Sequence, residues 1–177
     1  MRHRGGLAML FRMLGFKIGV EVGVAAGKFS NIICEAMPGV KLFCVDVWEP
    51  YAEYADYQEI SIFETLYNDA KAKLAQYDCT LIKKFSMDAV KDFEDESLDF
   101  VYIDSNHRYS FVRDDIREWT KKVKKGGIVS GHDYGTMEEM GVGVKQAVDE
   151  YVKEHNYQVN VTGERLKFRP SWWFIKT

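Results

Sequence analysis

The stretch Phe16 to Ser30, FKIGVEVGVAAGKFS, decides the fold. Ile18, Val20 and Val22 are β-branched residues at alternate positions, the pattern of a buried strand, and Glu21 stands at its C-terminal end. Gly23 and Gly27 bound a turn in which the backbone can bend sharply and approach a ligand closely. Lys28 to Met37 then reads as a helix whose first N–H groups face the same crevice. Strand, glycine-bounded turn and helix in this order are how an α/β sheet builds a site for a nucleotide-like ligand.

Outward from this unit the same alternation continues. Lys41 to Asp46 (KLFCVD), Thr80 to Lys84, Leu98 to Asp104 (LDFVYID) and the segment IVSGHDY after Gly126-Gly127 read as strands. Ser61 to Tyr77, Met87 to Phe93, Ser110 to Val123 and Met137 to Glu154 carry helical spacing. Two late strand candidates, Tyr157 to Thr162 and Trp172 to Lys176, are joined through Gly163-Glu164 and a segment containing Pro170. Trp172 and Trp173 alternate on their strand, so one of them enters the core. Five strand and helix units followed by a hairpin predict a doubly wound, Rossmann-like α/β sheet, mostly parallel with an antiparallel C-terminal hairpin strand. Before it, Leu7, Leu10, Phe11 and Leu14 fall at helical spacing, which makes residues 1–15 an N-terminal helix or flexible segment of one domain spanning 1–177.

Composition narrows the classes. A chain of 177 residues with 46% hydrophobic content closes one core without staples. The 24 basic and 27 acidic side chains are mixed, with no basic run longer than two, which argues against nucleic acid as a partner. No apolar run is long enough to span a bilayer, and the N-terminal apolar segment is interrupted by Arg12. Cys34, Cys44 and Cys79 make no CxxC pair and suit reduced, buried thiols. The expectation is a cytoplasmic protein with a small-molecule substrate and no membrane partner; self-association as a homodimer stays open.

Ligands of open parallel sheets collect beyond the C-terminal strand ends. There the chain places Glu21, Asp46, Asp104 and the pair His132-Asp133. A dinucleotide fingerprint requires GxGxxG, but Ala25 stands at the second glycine, and Glu21 just before the turn repels a diphosphate. A cationic ligand without phosphates fits better. S-adenosylmethionine carries an ammonium, a sulfonium and a ribose diol; Asp46 can accept from both ribose hydroxyls, while Glu21 helps position the ammonium end.

The segments VEVGVAAGKFS, CVDVW, FSMDAV, LDFVYIDSNHRYSFVRDDIREW and KKGGIVSGHDY together resemble a class I methyltransferase. More narrowly, they are similar to the small-molecule O-methyltransferases of the macrocin and catechol type and to the cephalosporin-hydroxylase-like group. The resemblance implies that Glu21, Gly23, Ala25, Gly27 and Asp46 bind the cofactor, with Val47 or Trp48 against the adenine and Ser86, Met87 and Asp88 beside it. It implies that Asp104 serves a metal and the cofactor's methionine end, and that His107 is a general base. His132-Asp133 matches a position of two further metal ligands, commonly Glu-Asp or Asp-Asn. His132 departs from that pattern and shifts the candidate ion from magnesium toward manganese or another transition metal.

The residues leave several readings open. Asp104 alternatively caps its turn, His107 caps its loop, and His132 orients Asp133. Trp48, Tyr51, Tyr54 and Tyr57 suggest a loop that closes over an acceptor together with Tyr134. Two alternatives to a methyltransferase remain at this level: an NAD(P)-dependent oxidoreductase and a non-catalytic S-adenosylmethionine-binding protein.

Overall fold

The structure, a computed structural model, describes residues 3–51, 59–135, 143–163 and 170–177. In chain order these residues form α1 (Arg4–Met13), β1 (Ile18–Val22), α2 (Lys28–Ala36), β2 (Lys41–Asp46), α3 (Ile60–Leu74), β3 (Cys79–Lys83) and α4 (Ser86–Ala89), which runs into a 3-10 turn (Val90–Asp92). β4 (Leu98–Ile103), α5 (Tyr109–Lys122), β5 (Val123–Gly131), α6 (Val144–Glu154), β6 (Asn160–Val161) and β7 (Trp172–Ile175) follow. The sheet order is β3-β2-β1-β4-β5-β7-β6. β1 to β5 pair in parallel, while β7 runs antiparallel to both β5 and β6.

Strand alternation splits the core into two layers. Val20 and Val22 of β1, Val101 and Ile103 of β4 and Val129 of β5 point to the side covered by α5 and α6, where Ile116, Trp119 and Val148 are fully buried. Leu42 and Cys44 of β2 and Phe100 and Tyr102 of β4 point to the side covered by α1, α2 and α3. Trp172 is buried completely and Trp173 partly, as the alternation predicts.

Several boundaries move. The helix after β3 begins at Ser86 and tightens into a 3-10 turn after Ala89. β5 starts at Val123, ahead of the glycine pair, and its ladder with β4 shifts register between Leu98 and Phe100. The penultimate strand contracts to two residues, because β7 finds its longer partner in β5. The helix expected from Met137 is described from Val144 onward; 137–142, Glu164 and the loop tyrosines Tyr54 and Tyr57 lie outside the described residues.

The N-terminal segment is a helix, but its buried stripe is Leu7, Ala8 and Phe11, with Leu10 only partly covered and Leu14 about half exposed. The reason is geometric: Gly19 on β1 leaves room for the Phe100 ring, and Phe11 stacks on that ring at 4.3 Å. α1 is thereby fastened across β1 and β4, the two strands that carry the site. Phe11→Ala should cost about 3 to 5 kcal/mol in urea unfolding, the usual range for emptying a buried aromatic site.

Candidate functional site

The chain leaves β1 toward β2 on one side and β4 toward β5 on the other, so a crevice opens where β1 and β4 are neighbours. A cleft lies along this edge, lined among others by Gly23, Ala25, Asp46, Ser86, Asp104 and Asp115. Its shape begins at Gly23, whose φ is +89° and whose N–H donates to the Val45 carbonyl at 2.8 Å. A Cβ there would overlap the carbonyl oxygen of Asp104, so only glycine lets the turn close against the end of β4.

Ala25 occupies the position where a dinucleotide fold has its second glycine, and it adopts left-handed backbone at φ +47°. Its N–H donates to Asp46 Oδ2 at 2.8 Å, and the Trp48 N–H donates to Asp46 Oδ1 at 2.9 Å. The Trp48 indole in turn donates to the Ala25 carbonyl at 2.9 Å. Asp46 therefore ties the turn after β1 to the exit of β2. Burial pushes its carboxyl up from the ordinary value, against the pull of these backbone N–H groups. The N–H groups of Val24 and Val47 pull in the same direction, so the backbone surrounds this carboxylate with donors.

Trp48 is 2% exposed and meets Tyr67 edge-on at 5.1 Å. It belongs to a fixed wall and not to the closing loop expected from the sequence, because its one donor is held by Ala25. Val47 also lines the cleft. Glu21 is buried beneath the turn on the α2 side, where Ser30 Oγ donates to it, and Gly27 (φ +70°) packs on Ala70 of α3. Neither is among the residues lining the cleft. Burial pushes the Glu21 carboxyl up to about 8, the Ser30 hydrogen bond opposing.

At the other wall Asp115 of α5 accepts from Ser86 Oγ and from Ser105 Oγ, the latter at 2.6 Å, while the Trp119 indole donates to Ser86 Oγ at 2.8 Å. The loops after β3 and β4 are thus latched to one carboxylate, which burial pushes up to about 6 against the two hydroxyls. Tyr51, Phe85 and Phe111 form an aromatic side, with Tyr51 5.3 Å from Phe85 and 6.4 Å from Phe111. Met87 packs against the core behind this loop, and the Asp88 side chain pairs with Lys91 at the surface. Sequence reading missed Asp115. The available signal was an acid in the apolar stripe Val112, Ile116, Trp119 of a helix.

Near Asp104 the structure gathers a second constellation. His107 Nε2 stands 2.8 Å from Asp133 Oδ2 and 3.8 Å from Asp104 Oδ1. His132 Nδ1 is 3.2 Å from Asp133 Oδ1 and 3.9 Å from Asp104 Oδ1. Burial works against a charge on His107, but its two carboxylate partners outweigh burial and hold its pKa at about 9. Asp133 is buried as well, yet His107 and His132 draw its carboxyl far below the usual range. Ligand atoms of Asp104, His107 and Asp133 lie within 4.8 Å of one another. Two carboxylates with an imidazole suit manganese or another transition ion better than magnesium, on condition that His107 gives up its proton. The sequence placed His132 in this ligand set and His107 beside it; the geometry brings both imidazoles to the same acids, His107 nearer Asp133. A cation not foreseen also arrives: Arg4 Nη1 lies 3.6 Å from Asp104 Oδ2.

Comparison with known proteins establishes the family and the fold. The model of a family described as a methyltransferase domain matches residues 20–134. The chain belongs to the class I S-adenosylmethionine-dependent methyltransferases. The protein y4gI of Sinorhizobium fredii (strain NBRC 101917 / NGR234) is 31% identical over 133 residues, which are 72% of this chain and 14% of that protein. The chain thus spans a small fraction of the length of the curated relative it matches. Among solved structures, the O-methyltransferase TomG of Streptomyces achromogenes, in complex with S-adenosylmethionine, has a TM-score of 0.67 at 14% identity, covering 98% of this chain and 80% of its own. The precorrin-6y C5,15-methyltransferase of Geobacter metallireducens has a TM-score of 0.66 at 16% identity, covering 98% and 87%. At these identities the structures show a shared fold.

Glu21 gives a pH test. Folded, it keeps its proton to about pH 8; the ordinary value is 4.5, so between these the folded state binds the extra proton and stability falls as pH rises. Glu21→Gln should flatten that fall, by an amount on the order of a few kcal/mol, in urea unfolding series from pH 5 to 8. An unchanged slope would contradict the assignment.

Proposed function

We propose that this chain transfers the methyl group of S-adenosylmethionine to a hydroxyl of a small molecule, such as a sugar or natural-product intermediate, with a divalent ion assisting. The observation that carries the reading is one cleft with Asp46 along its length and the Asp104, His107, Asp133 cluster at its edge. Asp46 suits a ribose diol, the tight turn at Gly23 and Ala25 suits a ligand without phosphates, and the cluster suits an acceptor that must lose a proton.

Methyl transfer needs alignment and a freed lone pair more than activation, since the sulfonium is already a good leaving group. The acceptor oxygen forms a bond to the methyl carbon as the carbon–sulfur bond breaks, and that electron pair neutralises sulfur to leave S-adenosylhomocysteine. When bound, a divalent ion held by Asp104, Asp133 and an imidazole supplies a Lewis acid that makes the acceptor hydroxyl more acidic. His107 takes the acceptor's proton on condition that it starts neutral and outside the ion's ligand set, which leaves His132 as the imidazole ligand; Asp133, 2.8 Å from His107 Nε2, orients the ring and balances its charge. Asp115 fixes the loops that carry Ser86 and Ser105, so the nucleoside end meets a preformed wall.

In calorimetry, S-adenosylhomocysteine should bind the wild-type chain, and Asp46→Ala should weaken it by roughly tenfold to hundredfold. Binding of NADH with none of S-adenosylhomocysteine would overturn the reading. With a panel of hydroxylated acceptors, His107→Ala should lower kcat about 100- to 10,000-fold while leaving S-adenosylhomocysteine affinity within about twofold. Chelation by EDTA should abolish transfer and added manganese restore it; full activity after complete chelation removes the ion from the mechanism.

A further inference from the structure

The N-terminal helix does more than cover the sheet. α1 begins at Arg4, and its guanidinium lies over the Phe29 ring, 5.2 Å from the centroid. Phe29 is the second residue of α2, directly beyond the turn from Gly23 to Gly27. On its other side Arg4 faces Asp104, which lines the cleft. The 3.6 Å separation is a Coulomb contact outside hydrogen-bond range, and among the described residues the guanidinium makes no hydrogen bond, so its five donors remain available. Leu7, Ala8 and Phe11, buried against the sheet, hold the helix that delivers it.

A donor whose ribose lies on Asp46 and whose nucleoside end lies toward Ser86 and Asp115 directs its amino-acid end past Gly23 toward Asp104. That end carries an ammonium and a carboxylate. Asp104 suits the ammonium, but it repels the carboxylate unless a cation stands beside it. Lys84 also lines the cleft, but at the β3 end, where it pairs with Asp92 at 2.6 Å, and Lys73 Nζ donates to the Ala26 carbonyl at 2.6 Å. Arg4 does not itself line the cleft, but it stands against Asp104, which does, with a charge and a planar fork that match a carboxylate.

We propose that Arg4 binds the carboxylate of the cofactor's amino-acid end, which makes α1 part of the cofactor site. The inference rests on the methyl-donor reading above. Arg4 is a specificity residue: it separates a full amino-acid-bearing donor or product from nucleosides that lack that end.

The test is calorimetry on the full chain with two probes, S-adenosylhomocysteine and 5′-methylthioadenosine, the second being the same nucleoside thioether without the amino acid. The wild-type chain should bind S-adenosylhomocysteine the more tightly. Arg4→Gln should weaken S-adenosylhomocysteine by roughly tenfold to hundredfold and 5′-methylthioadenosine by less than about twofold, with Arg4→Lys between. Circular dichroism confirms that each variant folds. Equal loss for both probes in Arg4→Gln would make Arg4 a packing residue and overturn the proposal. Unchanged S-adenosylhomocysteine affinity would overturn it too, and a raised KM for an acidic acceptor alongside would reassign the cation to the acceptor. Failure of the wild-type chain to bind either probe would instead refute the cofactor reading beneath it.

Discussion

Two backbone N–H groups converge on the carboxylate of Asp46, from Ala25 at 2.8 Å and from Trp48 at 2.9 Å, and the cleft hangs from that pair of bonds. Both donor residues are held in left-handed backbone, at φ +47° and +42°, which costs on the order of 1 to 3 kcal/mol for each. Hydrogen bonds to a charged group contribute about 1.5 to 3 kcal/mol apiece, and the indole of Trp48 adds a third bond by donating to the Ala25 carbonyl. The bonds offset the strain, so the turn can keep a conformation that neither residue would choose alone. The outcome is a rigid acid on the wall of the cleft, fixed before any ligand arrives.

The same logic of fixed anions with assigned donors recurs along the edge. Asp115 gathers two hydroxyls and through Ser86 an indole, so the loops after β3 and β4 cannot separate without leaving a buried acid unsatisfied. Asp104 is held by its own backbone, its N–H donating to the Val22 carbonyl at 2.7 Å, and its side chain meets Arg4, His107 and His132. Sheet topology brings these groups together: β1 and β4 are neighbours although some 80 residues separate them, and Gly23 permits the closest approach between their ends.

Much of this was legible in the sequence. The β-branched alternation of Ile18, Val20 and Val22, the glycines after it and the acids at four strand ends announced a parallel sheet and its ligand edge, because strand period and turn chemistry are local properties. Asp104 and the pair His132-Asp133 followed from the same rule, whereas His107 came from the family resemblance. Arg4, Asp115 and the fixed place of Trp48 did not, since each depends on a contact between distant segments: α1 crossing β1 and β4, α5 reaching two loops, an indole turning back to Ala25. Glu21 was read at the strand end, but its contact with Ser30 beneath the turn, away from the cleft lining, depends on the packing of α2.

The most direct measurement is a crystal structure of the chain grown with S-adenosylhomocysteine. The account predicts density along the C-terminal edge of the sheet, with both ribose hydroxyls on Asp46, the nucleoside toward Ser86 and Asp115, and the homocysteine end passing Gly23 toward Asp104. Ligand density at another face of the protein, or a ribose in this cleft that leaves Asp46 untouched, would contradict it.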